Sequence, residues 1–146
     1  MEPTIPVVID LTSKVNDGTG DETTKNRVKG TLHAKGPLTY IKYNEEVDES
    51  ADSVRNVVKI GEEAVTIIRN GGVSMNQRFE EGQTTEGTYG TPFGTMRMET
   101  ATKRFDYEWK SEEGKGEMVL AYELVLQGRD LGRVTLIFSI REVDGT

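Results

Sequence analysis

The stretch "QRFEEGQTTEGTYGTPFGTMRMETAT", residues 77–102, decides the fold class, because it consists almost wholly of strand formers and turn formers. It holds seven threonines and four glycines, and no histidine or cysteine. In its second half Met96, Met98, Thr100 and Thr102 alternate with polar residues, and a two-residue period is typical of a half-buried β-strand. Pro92 cannot donate to a strand ladder and marks a bend. The stretch therefore predicts strands on both sides of a turn at 91–94.

The same pattern extends along the whole chain. Apolar residues recur at every second position, and turn-forming clusters follow at intervals of about ten to fifteen residues. A length of 146 residues fits one domain, residues 1–146. We expect an all-β fold of about eight to ten antiparallel strands, closed into an up-and-down barrel that leaves no exposed edges. A β-sandwich is the alternative.

Two segments leave the register open. In "SVRNVVKI", residues 53–60, the valines fit a helical turn as well as a strand, and we favour a strand. In "AVTIIRNGGVSMNQRF", residues 64–79, the glycines favour a two-residue hairpin loop. That loop places Ala64, Thr66 and Ile68 on the face of Gln77, and turns Val65 and Ile67 outward. A three-residue loop would reverse the faces.

Composition restricts the partners. The net charge is −7 and no basic tract occurs, so we expect no nucleic-acid partner. The chain has no cysteine, which removes disulfides and thiolate chemistry. The start, "MEPTIPVVIDLT", has acidic and proline residues where a signal peptide needs a basic start, and no apolar run reaches membrane-spanning length. We expect a cytoplasmic protein without a membrane partner.

Gln77 is the most informative polar residue, because alternation from Phe79 places its amide inside the barrel. A buried amide without a partner costs about 1 to 3 kcal/mol. Either a ligand or water satisfies it, since small barrels hold one small molecule, or threonine and tyrosine hydroxyls bond to it and fix the core. We favour the second interpretation.

The other candidates surround the same interior. Methionines supply adaptable apolar volume, although ordinary core filling explains them as well. Arg69, at a hairpin end, fits a carboxylate or phosphate near the barrel mouth, or an ion pair with a neighbouring surface acid, which we favour. The predicted ligand contacts are Arg69, Met75, Gln77, Phe79, Tyr89, Met96, Met98, Thr100, Thr102 and Tyr122.

Catalytic and metal chemistry find little support. His33 is the only histidine and alternation turns it outward, which argues against a zinc or haem site and against a Ser-His-Asp triad. Acidic pairs such as Glu45/Glu46 fall in polar loops. The acidic run Glu45 to Asp52 is a weak calcium candidate, since it lacks the glycine and final glutamate of an EF-hand. We expect no enzyme activity, no cofactor and no metal.

Two motifs carry a family resemblance that covers nearly the whole chain. With "RNGGVSMNQRF", residues 69–79, and "TTEGTYGTPFGTMRMETAT", residues 84–102, the sequence resembles the YwiB-like family of bacterial proteins of unknown function. The resemblance implies a lipocalin-like, or calycin, barrel and transfers no catalytic residue or ligand. The acidic loop at 45–52 departs from the family pattern. The matching positions are Arg69, Gly71, Gln77, Phe79, Gly82, Tyr89, Gly94, Thr100, Thr102 and the region of Gly30.

Two functions compete. The first is non-catalytic binding of a small, partly apolar ligand inside the barrel. The second is a protein-interaction module with a filled core, which uses the rim or outward apolar side chains and is compatible with a homodimer. A cavity of a few hundred Å³ would favour the first function. The outward residues assigned to the second function are Val65, Ile67, Val119 and Val125.

Overall fold

The described part of the chain consists of ten strands joined by turns. The computed structural model describes residues 4–45 and 53–143. The strands are β1 (Thr4–Asn16), β2 (Asp21–Lys35), β3 (Leu38–Glu45), β4 (Val54–Ile60), β5 (Ala64–Gly71), β6 (Ser74–Glu80), β7 (Thr84–Thr91), β8 (Gly94–Lys110), β9 (Lys115–Leu126) and β10 (Arg129–Glu142).

The strands form one closed barrel. Each strand pairs antiparallel with its neighbours in the chain, and β1 pairs with β10 to complete the ring. The predicted up-and-down barrel is therefore confirmed, and the sandwich alternative is excluded. Because the ring is closed, no described strand has a free edge on which another chain could pair.

The core occupies the middle of the barrel, where alternate residues of every strand meet. Phe79, Met118 and Leu120 are fully buried there. Two aromatic contacts link strands that are not neighbours in the ring: the ring centroids of Phe79 and Tyr122 lie 4.7 Å apart, and those of Tyr43 and Phe138 lie 6.2 Å apart. Such contacts fix ring orientation as well as burying area. A lipocalin-like relationship stays a prediction.

The segment at 54–60 is a strand, as favoured, and pairs with both neighbours. The predicted faces of the β5–β6 hairpin are wrong. Val65 pairs with Phe79, Ile67 with Gln77, and Arg69 with Met75, so these residues of β5 share the inward face. Val65 and Ile67 are buried core residues, not outward ones.

The reason for the reversed faces lies in the parity of the hairpin loop. The pairing of Arg69 with Met75 leaves an odd number of residues around Gly72, so the two-residue loop does not form. Gly71 pairs with Val54 and has φ of 143°, and a Cβ there would overlap the carbonyl oxygen of Ser53. Contact with β4 therefore helps to set the turn.

The correction changes the outward apolar surface. With Val65 and Ile67 inside, the outer wall keeps only Val119 and Val125 of the four residues predicted there. Val119, although on the outer face, is itself 8% exposed. The described wall therefore offers a smaller apolar surface for a partner than the sequence indicated.

Candidate functional site

An open cavity lies at one end of the barrel. We call this the Arg69 end, and it carries the turns β1–β2, β5–β6, β7–β8 and β9–β10. The cavity has a volume of about 310 Å³. Its walls come from β1 to β6, β9 and β10: Leu11, Thr12, Ser13, Thr24, Asn26, Tyr43, Glu45, Asn56, Ile67, Arg69, Met75, Tyr122, Val134, Leu136 and Phe138.

Arg69 is the central polar group, and the hairpin register sends it inward. Its Nε donates to Oδ1 of Asn56 at 3.1 Å, directly across on β4. Asn56 is almost fully buried and donates in turn to the carbonyl of Val54 at 3.3 Å. These two hydrogen bonds hold the guanidinium of Arg69 in one orientation against β4.

An ion pair completes the charged part of the site. Nη2 of Arg69 lies 3.3 Å from Oε1 of Glu45, and the two side chains are 23% and 24% exposed. Glu45 is the last residue of β3 and is not part of a polar loop, as the sequence had indicated. Residues 46–52, which held the calcium candidate, lie outside the described residues. The favoured pairing of Arg69 with an acid is therefore present, but inside the barrel mouth.

Two tyrosine side chains face the same cavity. Burial raises the pKa of Tyr43 well above its usual range, Glu45 raises it further, and the Arg69 guanidinium opposes both effects. Burial likewise raises the pKa of Tyr122, again opposed by Arg69. Both hydroxyls therefore stay protonated at neutral pH and act as neutral hydrogen-bond donors. The influence of Arg69 on both places them in its electrostatic field.

The remaining wall is largely apolar. Leu11, Ile67, Met75, Leu136 and Phe138 contribute hydrocarbon and aromatic surface. Pockets that bind small molecules typically combine such a wall with a few polar groups that set orientation. This cavity has both parts.

Gln77 lies away from the cavity, in the wall between β6 and β7. These strands pair at only three positions, from Ser74 to Asn76. Beyond them, Nε2 of Gln77 bonds to the carbonyl of Arg78 at 2.8 Å, to that of Thr85 at 3.3 Å and to Oγ1 of Thr100 at 3.0 Å. Nε2 bridges the strands where the backbone ladder stops, whereas Oε1 is buried without a hydrogen-bond partner among the described residues. The interpretation that needs no ligand therefore accounts for Nε2 alone.

Close approach explains the glycine opposite Gln77. A Cβ on Gly87 would overlap both the carbonyl oxygen of Asn76 and Oε1 of Gln77. Only glycine leaves room for the amide beside β7. We call this section of the wall, residues 77–80 with 84–87, the β6–β7 seam.

The structure divides the ten predicted ligand contacts into two groups. Arg69, Met75 and Tyr122 line the cavity. The other seven are not part of its lining: Gln77, Phe79, Met98, Thr100 and Thr102 are buried, and Tyr89 and Met96 are half-buried near the β7–β8 turn.

Sequence reasoning missed seven polar wall residues: Thr12, Ser13, Thr24, Asn26, Tyr43, Glu45 and Asn56. Extending the predicted third strand to Glu45 would have placed Tyr43 and Glu45 on the same inward face as Ile41. Asn56 could be placed only with the register of β4, which the sequence left open.

Residues 4–45 and 53–143 contain neither a metal-binding cluster nor a membrane-spanning helix. No group of three or more His, Cys, Asp or Glu side chains there is arranged to hold a metal ion. No helix in those ranges has the length and apolar character to cross a bilayer.

Comparison with known proteins gives consistent matches. A family model described as "Domain of unknown function (DUF1934)" matches residues 9–137. The "Uncharacterized beta-barrel protein YwiB" of Bacillus subtilis (strain 168) is 32% identical over 124 residues, which is 85% of this chain and 84% of that protein. The crystal structure of the ywiB protein from Bacillus subtilis superposes with a TM-score of 0.85 at 27% identity, and covers 97% of this chain and 94% of that one. The resemblance predicted from the sequence is confirmed.

Proposed function

The chain belongs to the DUF1934 family, and from that premise we propose that it binds a small, partly apolar molecule in the cavity at the Arg69 end, without catalysis. The observation that carries the proposal is the cavity itself. Protein interiors normally pack to the density of organic crystals, and the middle of this barrel does so around Phe79 and Met118. The open space of about 310 Å³ above it is at the lower end of the size range of small-molecule sites.

The polar groups of the cavity support a ligand of mixed character. Arg69, Tyr43 and Tyr122 stand at one part of the wall, while Leu11 and Leu136 present apolar surface. Polar groups that face an apolar partner lose hydrogen bonds to water without replacement. A molecule with a polar group at one end and an apolar body satisfies both parts of the wall.

The same groups favour binding over catalysis. A general base works best with a pKa near the operating pH. Burial moves the pKa values of Tyr43 and Tyr122 upward, away from neutrality, and Glu45 is engaged by Arg69. No described pair in the cavity combines a nucleophile with an adjacent base.

The protein-interaction alternative retains one notable feature. Phe93, at the β7–β8 turn, is 100% exposed. It is a single side chain, however, and Val65 and Ile67, two of the outward residues that the alternative could use, are in the core. Single exposed apolar residues are normal on protein surfaces, so we favour the binding function.

A neutral fluorophore tests the proposal. We expect 1-naphthylamine, which emits more strongly in apolar surroundings, to bind the purified protein in a saturable way. Leu136→Trp fills the cavity and should abolish the signal. Ile137→Trp, on the outer face of the same strand, is the matched control and should retain it. Unchanged binding in Leu136→Trp, or no saturable binding in the parent, would contradict the proposal.

A further inference from the structure

Arg69, Tyr43 and Tyr122 bring hydrogen-bond donors to the lining of the same cavity. A guanidinium has five N–H donors. Within the described residues Arg69 uses one on Asn56 and one on Glu45, so three remain for another partner. The Asn56 bond fixes the plane of the group, so the unused N–H groups have a defined direction.

The tyrosine hydroxyls add donors to the same region. Tyr43 and Tyr122 line the cavity with Arg69, and their hydroxyls have no hydrogen-bond partner among the described residues. Packing holds both rings, against Phe138 and Phe79 respectively. A preorganised set of donors selects a ligand group that accepts several hydrogen bonds.

The charged residues of the cavity indicate which charge the hydrogen-bonding group of the ligand should carry. Among the described residues that line the cavity, Arg69 is the only cation and Glu45 is the only anion. Their ion pair consists of one contact at 3.3 Å. A carboxylate with two free oxygens can instead take two parallel N–H bonds, which is the stronger geometry. Glu45, at the strand end and a quarter exposed, has water available when it is displaced.

We infer that Arg69 binds the head group of a monocarboxylate with a short apolar chain, and that the ligand carboxylate replaces Glu45 on the guanidinium. The inference rests on the proposed function and specifies its ligand class. A single cation matches a single negative charge, so a phosphate dianion is disfavoured. A volume of about 310 Å³, at about 30 Å³ per water-sized group, accommodates roughly ten heavy atoms. Octanoate has that size.

The test compares ligands that differ only in the head group. Octanoate and octanamide are titrated against protein loaded with 1-naphthylamine, and displacement of the fluorophore gives their affinities. We expect octanoate to bind at least about tenfold more tightly than octanamide, because its hydrogen bonds to Arg69 are charge-assisted.

Variants then assign the preference to specific groups. Arg69→Met should weaken octanoate binding by about ten- to hundredfold and should change the affinity for 1-naphthylamine, which carries no charge, much less. Glu45→Gln removes the competing carboxylate and should strengthen octanoate binding. Arg55→Met, on the outer face of β4, is the matched control and should change neither affinity. The double variant Arg69→Met/Glu45→Gln avoids an unpaired acid, and should lose the octanoate preference while remaining folded.

The outcomes separate this inference from the proposed function. If the fluorophore binds but octanoate and octanamide displace it equally, the cavity is a binding site and the carboxylate assignment is wrong. Equal octanoate affinity in Arg69→Met and the parent would also overturn it. If the fluorophore does not bind at all, the proposed function itself is contradicted.

Discussion

Thr100 and Thr102 lie two positions apart on the inward face of β8, yet their hydroxyls have different surroundings. Oγ1 of Thr100 accepts a bond from Gln77 at 3.0 Å. Oγ1 of Thr102 is buried without a hydrogen-bond partner among the described residues. A buried hydroxyl stabilises the fold only when it is paired, so the two threonines should respond differently to the same substitution.

Replacement of each threonine by valine keeps its shape and removes only the hydroxyl. We expect Thr100→Val to lower the free energy of unfolding by about 0.5 to 1.5 kcal/mol, because one hydrogen bond to the Gln77 amide is lost while Arg78 and Thr85 still offer acceptors. Thr102→Val should leave stability unchanged or raise it by up to about 1 kcal/mol. Urea denaturation measures both. Equal destabilisation in the two variants would contradict the hydrogen-bond assignment of Gln77.

For the β5–β6 hairpin, the sequence predicted the strands but not which face of β5 points inward. Alternation predicted the strands and the inward direction of Gln77, Met98 and Thr100, because a half-buried sheet imposes a two-residue period. Residues 70–73 fit a loop of either parity, however, and a change of parity moves every side chain of β5 to the other face. The pairing of Arg69 with Asn56 on β4 settles the choice, and that contact is not encoded locally.

Gly71 should be essential to this hairpin. Its φ of 143° is unfavourable for other residues, and an added Cβ would overlap the carbonyl of Ser53. We expect Gly71→Ala to lower the free energy of unfolding by about 2 kcal/mol or more. Gly20→Ala is the control, because Gly20 lies in a turn with open space around its Cα and without a positive φ. Comparable losses in the two variants would argue against the assigned turn.

The whole molecule combines a densely packed middle with a polar, open end. The packed part and the ring topology followed from the pattern of the sequence. The cavity did not, because it depends on polar residues of neighbouring strands, such as Glu45, Asn56 and Arg69, that come together only in the observed register of β3, β4 and β5. Its residues Tyr43 and Tyr122 also tie the stability of the whole barrel to pH.

Stability should fall at alkaline pH. Burial raises the folded-state pKa of both tyrosines above the ordinary value of about 10. Above about pH 10 the unfolded chain releases protons that the folded chain keeps, so the free energy of unfolding decreases as pH rises. Above about pH 10, each tyrosine lowers the free energy of unfolding by up to about 1.4 kcal/mol per pH unit. Below about pH 10 no stability is lost through these two groups.

Urea denaturation from about pH 9 to about pH 11 measures this slope. The double variant Tyr43→Phe/Tyr122→Phe should show a shallower decline than the parent protein. Parallel curves would show that these two hydroxyls do not titrate differently in the folded and unfolded chains.

The β6–β7 seam has a consequence for how the protein fails. A ring without free edges resists intermolecular strand pairing, yet here one joint of the ring depends on a glutamine side chain where the backbone ladder stops. Heat or shear should separate β6 from β7 before any other pair of strands. The opened sheet would have two free edge strands. Strands of other copies could pair with these edges and form insoluble aggregates.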